Sequence, residues 1–211
     1  MSQNEGNEKI IILALGNSSV GKTSFIQRYT KNTFQISNLT TTGHEMQRKI
    51  MKINDKTYIV DFHDTQGQER YRALSYNFIK NADGIILMYD ITSQTSFDSI
   101  SEWMDNIRKH KDEGFPIVLV GNKYDLEEDR VISKEEGEEL AKKYGLPFYE
   151  TSNKDNINIE ESCIDLINKA IIEKEKELEN GVRPNNTLKL DKSKISINKK
   201  QQKSNCKCKE E

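Results

Sequence analysis

The apolar run Ile10-Ile11-Ile12-Leu13-Ala14-Leu15 stops at Gly16, and a helical pattern opens at Lys22. Between them stands Gly16-Asn17-Ser18-Ser19-Val20-Gly21-Lys22-Thr23, which fits G-x-x-x-x-G-K-[ST]. An unbroken apolar run of this length reads as a strand buried on both faces. A strand that turns through glycines directly into a helix opens a βαβ unit, so the chain points to an α/β fold. Gly16 and Gly21 permit the tight turn and a close approach of backbone to ligand. The N–H groups around Ser18, Ser19, Val20 and Ser24 then converge on one anion-binding cavity at a helix N-terminus. Phosphates are the anions such a loop holds, with Lys22 reaching the terminal ones and the Thr23 hydroxyl placed to ligate Mg²⁺.

The rest of the chain repeats this grammar. Three more apolar runs, Gly84–Tyr89, Pro116–Val120 and Pro147–Tyr149, read as strands. Helical patterns cover Lys22–Thr30, Glu69–Lys80, Thr95–Lys111, Lys134–Tyr144 and Ile157–Glu177. Strands alternating with helices imply parallel pairing through right-handed crossovers. One stretch departs from the rule: Glu45–Ile53 and Thr57–Asp64 flank the turn signal Asn54-Asp55 and read as a hairpin. The expected fold is therefore a six-stranded, mostly parallel sheet with one antiparallel edge strand and helices on both faces. Ligands of such sheets lie beyond the carboxyl ends of the strands.

A length of 211 residues suits one domain with tails. Residues 1–8 are polar and expected to be disordered, and residues 9–178 form the domain. Beyond Leu178, Asn180-Gly181 and Pro184-Asn185-Asn186 break the helical pattern, so residues 179–211 are expected to be a flexible basic tail. Residues 181–211 hold nine Lys/Arg and three Asp/Glu, a net +6; the whole chain is −2, which leaves −8 for residues 1–180. An acidic body with a basic end does not suit a general nucleic-acid binder. The three cysteines, Cys163, Cys206 and Cys208, form no even-numbered framework. With no apolar leader and no membrane-spanning run, the chain reads as cytosolic, and Cys163 as an inert buried thiol.

Two further motifs follow strands. Asp64-Thr65-Gln66-Gly67 closes the hairpin. There Asp64 can hold Mg²⁺ through water and the Gly67 N–H can meet a γ-phosphate. Asn122-Lys123-Tyr124-Asp125 follows Pro116–Val120. A carboxylate at Asp125 can accept from both the ring N–H and the exocyclic amine of guanine, a donor pair adenine lacks. The Lys123 stem can pack along the base. Thr151-Ser152-Asn153-Lys154 follows the last strand, and backbone N–H groups of Ser152, Asn153 and Lys154 can face the guanine carbonyl.

Taken together, these residues resemble the Ras superfamily of small GTPases over roughly residues 9–178, and its Rab branch in particular. Leu87-Met88-Tyr89-Asp90-Ile91-Thr92 resembles L-V-Y-D-I-T, Asp64–Tyr71 resembles D-T-A-G-Q-E-R-F, and Glu150–Lys154 resembles E-T-S-A-K. The resemblance implies GTP and GDP as ligands, Mg²⁺ as cofactor, and GTP hydrolysis. It assigns Phe34 to packing on guanine, Thr41 to Mg²⁺ in the GTP state, and Gln68 to orienting the attacking water. No internal arginine finger is evident, so slow turnover is expected, accelerated roughly 10³–10⁵-fold by an activating protein. It also implies an exchange factor, effectors and a GDP-dissociation inhibitor, a monomeric state, and cycling between cytoplasm and the cytosolic face of an endomembrane in vesicle trafficking.

The switches depart from the family pattern. Thr41-Thr42-Gly43-His44-Glu45-Met46 stands where T-I-G-V-D-F is usual, and His63-Asp64-Thr65-Gln66-Gly67 stands for W-D-T-A-G. Met46 and His63 thus replace two aromatics that, with the one aligned at Phe78, form an effector-facing patch in relatives; Asn38 replaces another aromatic. An altered effector set and a perturbed hydrolysis beside Gln66 are expected. The tail ends Cys206-Lys207-Cys208-Lys209-Glu210-Glu211. Paired cysteines on a basic tail suit double prenylation at Cys206 and Cys208 and an anionic membrane surface, although Cys208–Glu211 is a poor CaaX box. Two alternatives remain at this level: a guanine-nucleotide module with impaired hydrolysis acting as an interaction protein, and a P-loop kinase, whose arginine-rich lid is not visible.

Overall fold

β1 (Glu8–Leu15) lies inside the sheet and is paired on both edges. Its alternate side chains serve two different cores. Ile10, Ile12 and Ala14 join a cluster with Phe25, Ile26, Leu166 and Ile167 from α1 (Lys22–Lys31) and α5 (Ile159–Glu179). Leu13 and Leu15 face the opposite cluster, with Ile79, Ile100, Trp103 and Ala141 from α2 (Arg72–Asn81), α3 (Gln94–Arg108) and α4 (Lys134–Tyr144). Two buried faces explain the unbroken apolar run. Each such aliphatic side chain contributes about 1.5–3 kcal/mol when fully buried. The remaining strands are β2 (Glu45–Ile53), β3 (Lys56–Asp64), β4 (Gly84–Asp90), β5 (Ile117–Asn122) and β6 (Phe148–Thr151). The computed structural model describes residues 8–34, 45–53, 55–64 and 72–179.

The six strands lie in the order β2-β3-β1-β4-β5-β6. All neighbours pair in parallel except β2 and β3, which form the antiparallel hairpin at one edge. The expected architecture is therefore the observed one. No described helix is long and apolar enough to cross a membrane.

Element boundaries shift for local reasons. β1 begins at Glu8, two residues before the apolar run Ile10–Leu15, because Glu8 already pairs with Tyr58. α3 is capped by Ser93, whose hydroxyl accepts from the Ser96 N–H at 3.3 Å. It ends at Arg108 rather than Lys111, and the N–H groups of His110 and Lys111 both turn back to the Ile107 carbonyl at 2.9 Å. α5 starts at Ile159 rather than Ile157. Ile157 exchanges backbone hydrogen bonds with Ser152, and Asn156 and Asn158 flank it at φ 59° and 54°. A short 3-10 helix, Tyr124–Asp129, was not legible in the hydrophobic pattern. α2 begins at Arg72, with the expected Glu69–Tyr71 lying outside the described residues.

Candidate functional site

The carboxyl ends of β1, β3, β4, β5 and β6 gather the motif residues on one edge of the sheet. Gly16 leaves β1 at φ 139°, and Gly21 precedes α1 at φ 98°. Both positions are also closed to a side chain. A Cβ on Gly16 would stand 2.2 Å from the Met88 carbonyl oxygen, and one on Gly21 would stand 2.4 Å from Asn122 Nδ2. The loop therefore packs directly against β4 and against the end of β5. Ser19 adopts φ 64°, a second left-handed turn that no glycine pattern announces. Ser18, Val20 and Ser24 take their expected places along the loop and the first turn of α1.

Lys22 lies back across this loop. Its ammonium donates to the Gly16 carbonyl at 3.0 Å and the Asn17 carbonyl at 2.7 Å. Burial draws its pKa down to about 8, and the Asp64 carboxylate opposes part of that shift. An anion placed beside Lys22 favours its charged form, so the lysine is poised to meet negative charge. The Thr23 hydroxyl donates to Asp64 Oδ2 at 2.5 Å. A hydroxyl and a carboxylate thus converge at the end of β3. Hard oxygen donors of this kind, few in number, suit a small divalent cation that takes its other ligands from phosphate and water.

A second set of contacts ties three loops together. Asn122 Nδ2 donates to the Val20 carbonyl at 2.8 Å, while its Oδ1 accepts from the Thr151 hydroxyl at 3.0 Å. Asn153 Nδ2 donates to the Gly21 carbonyl at 3.0 Å. Lys123 sits at φ 71°, and its ammonium pairs with Asp90 Oδ2 at 2.6 Å. Asp125 Oδ1 accepts from the Ser152 hydroxyl at 2.8 Å, and Ser152 Oγ in turn accepts from the Asp155 N–H at 2.9 Å. Phe34 is half-buried just beyond α1.

Of the sequence-predicted residues, the described structure brings together the loop Gly16–Ser24, Asp64, the trio Asn122, Lys123 and Asp125, and Ser152–Lys154. Thr41, Gly67, Gln68, Gln66, Asn38, His44, Cys206 and Cys208 lie outside the described residues. Three supporting residues were missed. Asn17 clips the loop to α3, donating to the Ser99 hydroxyl at 2.8 Å and accepting from Trp103 Nε1 at 3.0 Å. Asp90 anchors Lys123. Arg28 bonds the carbonyls of Asn153 and Lys154 at 2.7 and 3.0 Å. Asn17 occupies a free position of the motif and Arg28 a helical face, so neither carries a local signal. Asp90 stands within the Leu87–Thr92 stretch that carries the resemblance, which assigns it no role.

The Ras family model matches residues 9–172. The chain is 42% identical to the Ras-related protein Rab-3C of Bos taurus over 159 residues, which is 74% of this chain and 70% of that one. It is 43% identical to the human Ras-related protein Rab-3A over 151 residues, covering 72% and 69% of the two chains. With human Rab-15 it shares 38% over 180 residues, 85% of each chain.

The chain belongs to the Ras family, in its Rab branch. It is a Rab-like small GTPase, a GTP/GDP switch that hydrolyses GTP. The purely binding alternative is not favoured by these relatives. In this Rab-like GTPase the positions singled out for the effector patch are contiguous. Met46 and His63 are register partners across β2 and β3, and the His63 ring lies 6.2 Å from the Phe78 ring. Met46 is 48% exposed and Ile50, four residues further along the same strand face, 63%. His63 is partly buried on its strand, and no group of three or more His, Cys, Asp or Glu able to hold a metal exists among the described residues. Cys163 is buried against Tyr29's cluster, and burial pushes its thiol pKa up, in keeping with an inert thiol.

Proposed function

We propose that this Rab-like GTPase binds GTP and GDP with Mg²⁺ at the carboxyl edge of its sheet and regulates intracellular vesicle trafficking. The observation that carries the site is the convergence of Lys22, the Thr23–Asp64 pair and the Asn122–Asp125 loop. Backbone N–H groups of Gly16–Ser24 cradle the phosphates, and Lys22 gives up its carbonyl partners to contact the terminal ones. Asp125, held by Ser152, reads the guanine ring N–H and amine. Lys123, held by Asp90, lays its stem along the base, and Phe34 packs at its edge. Thr23, Asp64 and, in the GTP state, Thr41 are the residues that would hold Mg²⁺. The ion supplies neutralisation of charge on the β- and γ-phosphates.

Gln68 orients the attacking water, while Thr41 and the Gly67 N–H order two segments around the γ-phosphate until hydrolysis releases them. Hydrolysis is slow without an activating protein, because the sequence offers no candidate for an internal arginine finger. Exchange factor, effectors and GDP-dissociation inhibitor complete the cycle. Prenylated Cys206 and Cys208 on the basic tail carry the protein to the cytosolic face of an endomembrane. The Met46–His63–Phe78 surface, exposed at Met46 and partly buried at His63 and Phe78, selects effectors unlike those of Rabs with aromatics at the first two positions, because a flexible thioether and a polar imidazole change shape and desolvation there.

Single-turnover GTP hydrolysis tests the catalytic assignment. Gln68→Ala should slow hydrolysis at least tenfold, both alone and with an activating extract, with GDP affinity kept. An unchanged rate would remove Gln68 from the reaction. Mass spectrometry of protein from its native cell should find isoprenoid on Cys206 and Cys208; its absence refutes the membrane anchor.

A further inference from the structure

Arg28 stands outside every motif, yet it is bonded through all three guanidinium nitrogens. Nε donates to the Asn153 carbonyl at 2.7 Å and Nη2 to the Lys154 carbonyl at 3.0 Å. Nη1 donates to both the carbonyl and the side-chain oxygen of Asn32, at 3.3 Å each, and the Arg28 Cζ lies 5.8 Å from the centre of the Phe34 ring. One planar, permanently charged fork therefore touches the end of α1, the residue aligned at the base edge, and two successive peptides of the loop after β6.

Those peptides lead directly to the guanine-reading carboxylate. In a trans peptide the carbonyl and the following N–H point in opposite directions. Holding the Lys154 carbonyl therefore aims the Asp155 N–H away from Arg28, and that N–H donates to Ser152 Oγ at 2.9 Å. Ser152 Oγ–H is thereby directed onward to Asp125 Oδ1 at 2.8 Å. Holding the Asn153 carbonyl likewise turns the Lys154 N–H to the side away from Arg28. The turn residues 153–156 belong to no strand or helix; the Ser152–Ile157 backbone pair closes the loop, and Arg28 holds the two peptide carbonyls inside it.

On the guanine site proposed above, we propose that Arg28 is a positioning residue for the base. It orients peptides 153–155 so that Ser152 holds Asp125 in register with the guanine amine, and it couples that loop to Phe34. Lysine cannot replace it, because one ammonium cannot span two adjacent carbonyls in a fixed plane. Loss of the fork accelerates GDP release and weakens the reading of the 2-amino group specifically.

The experiment measures dissociation of fluorescent GDP and competition by GDP, inosine diphosphate and ADP, using the full chain with Mg²⁺. Inosine diphosphate lacks only the 2-amino group that Asp125 reads. Arg28→Gln should speed GDP release by about tenfold or more, the loss expected for two charge-assisted bonds to a loop. It should also shrink the preference for GDP over inosine diphosphate. Arg28→Lys should fall between the parent and Arg28→Gln, and it supplies the readout if the glutamine variant folds poorly. Ser152→Ala, which cuts the relay, should shrink the same preference. Release within twofold of the parent, or equal weakening of GDP and inosine diphosphate, would overturn the positioning role and leave Arg28 a structural residue. A parent protein that does not prefer GDP to ADP would instead sink the guanine site itself.

Discussion

Asn122→Ala removes a side chain that joins two loops of the site from inside the protein. Asn122 and Thr151 are buried, as is Val20. The substitution deletes the 2.8 Å bond to the Val20 carbonyl and the 3.0 Å bond from the Thr151 hydroxyl. A buried hydrogen bond is worth about 1 kcal/mol net, but a buried group stripped of its partner costs about 1–3 kcal/mol. Two stranded groups predict a loss of about 2–5 kcal/mol, or roughly 5–15 °C in Tm for a domain of this size. Because the tie also aligns the phosphate loop with Asp125, GDP affinity should fall by at least tenfold. Thr151→Val strands only the Asn122 oxygen and should cost about half as much. The double variant should be less than additive, since both changes break one shared bond. Thermal unfolding with and without GDP, and GDP release, measure all three variants. An Asn122→Ala protein within 1 °C and twofold of the parent, or an additive double variant, would show that the loops are held by something else.

Other expectations follow from single residues. Asp125→Asn should weaken GTP by about 10²-fold or more relative to xanthosine triphosphate, because a carboxamide presents a donor where guanine also donates; an unchanged ratio in competition binding refutes the base assignment. Asp61 is fully buried on β3, with Arg48 bonded to both its oxygens at 2.6 and 2.9 Å and the Lys9 ammonium at 2.9 Å. The Arg48 hydrogen bonds, ahead of the Lys9 contact, hold its pKa below the usual carboxylate value against the opposing effect of burial. A depressed carboxylate stabilises above its unfolded pKa, so Asp61→Asn should cost about 1 kcal/mol at neutral pH, modest because both cations are half exposed. That difference should shrink as pH falls below about 4; a Tm gap constant from pH 7 to pH 3 contradicts it. Gln66→Ala should change the single-turnover hydrolysis rate by several-fold, since a long side chain then no longer stands beside Gly67; an identical rate means Gln66 points away from the phosphate.

Much of the architecture was legible because its signals are local. A short apolar run without alternation, bounded by turn signals, reads as a strand covered on both faces, as Gly84–Tyr89 is throughout and Ile10–Leu15 is apart from the half-buried Ile11. Two glycines five residues apart ahead of a Lys-Thr pair read as a loop whose backbone can come close to a phosphate. The structure adds that Gly16 and Gly21 are also forced by neighbours, the Met88 carbonyl and Asn122. The boundaries were less legible where a side chain or a bridge competes with helix, as at Ile157 and Ser152.

By itself, then, the order of residues determined the fold class, the phosphate loop and the kind of base it accompanies, since each is written in a short stretch with a fixed spacing. Only the tertiary structure decided what holds those stretches in mutual register. Asn122 reaches 102 positions back to Val20, and Arg28 reaches 125 forward to Asn153. Such bonds depend on the sheet bringing five strand ends to one edge. No periodicity or motif encodes a partner that distant: Arg28 reads locally as an ordinary polar position, and the motif that contains Asn122 carries no sign of Val20.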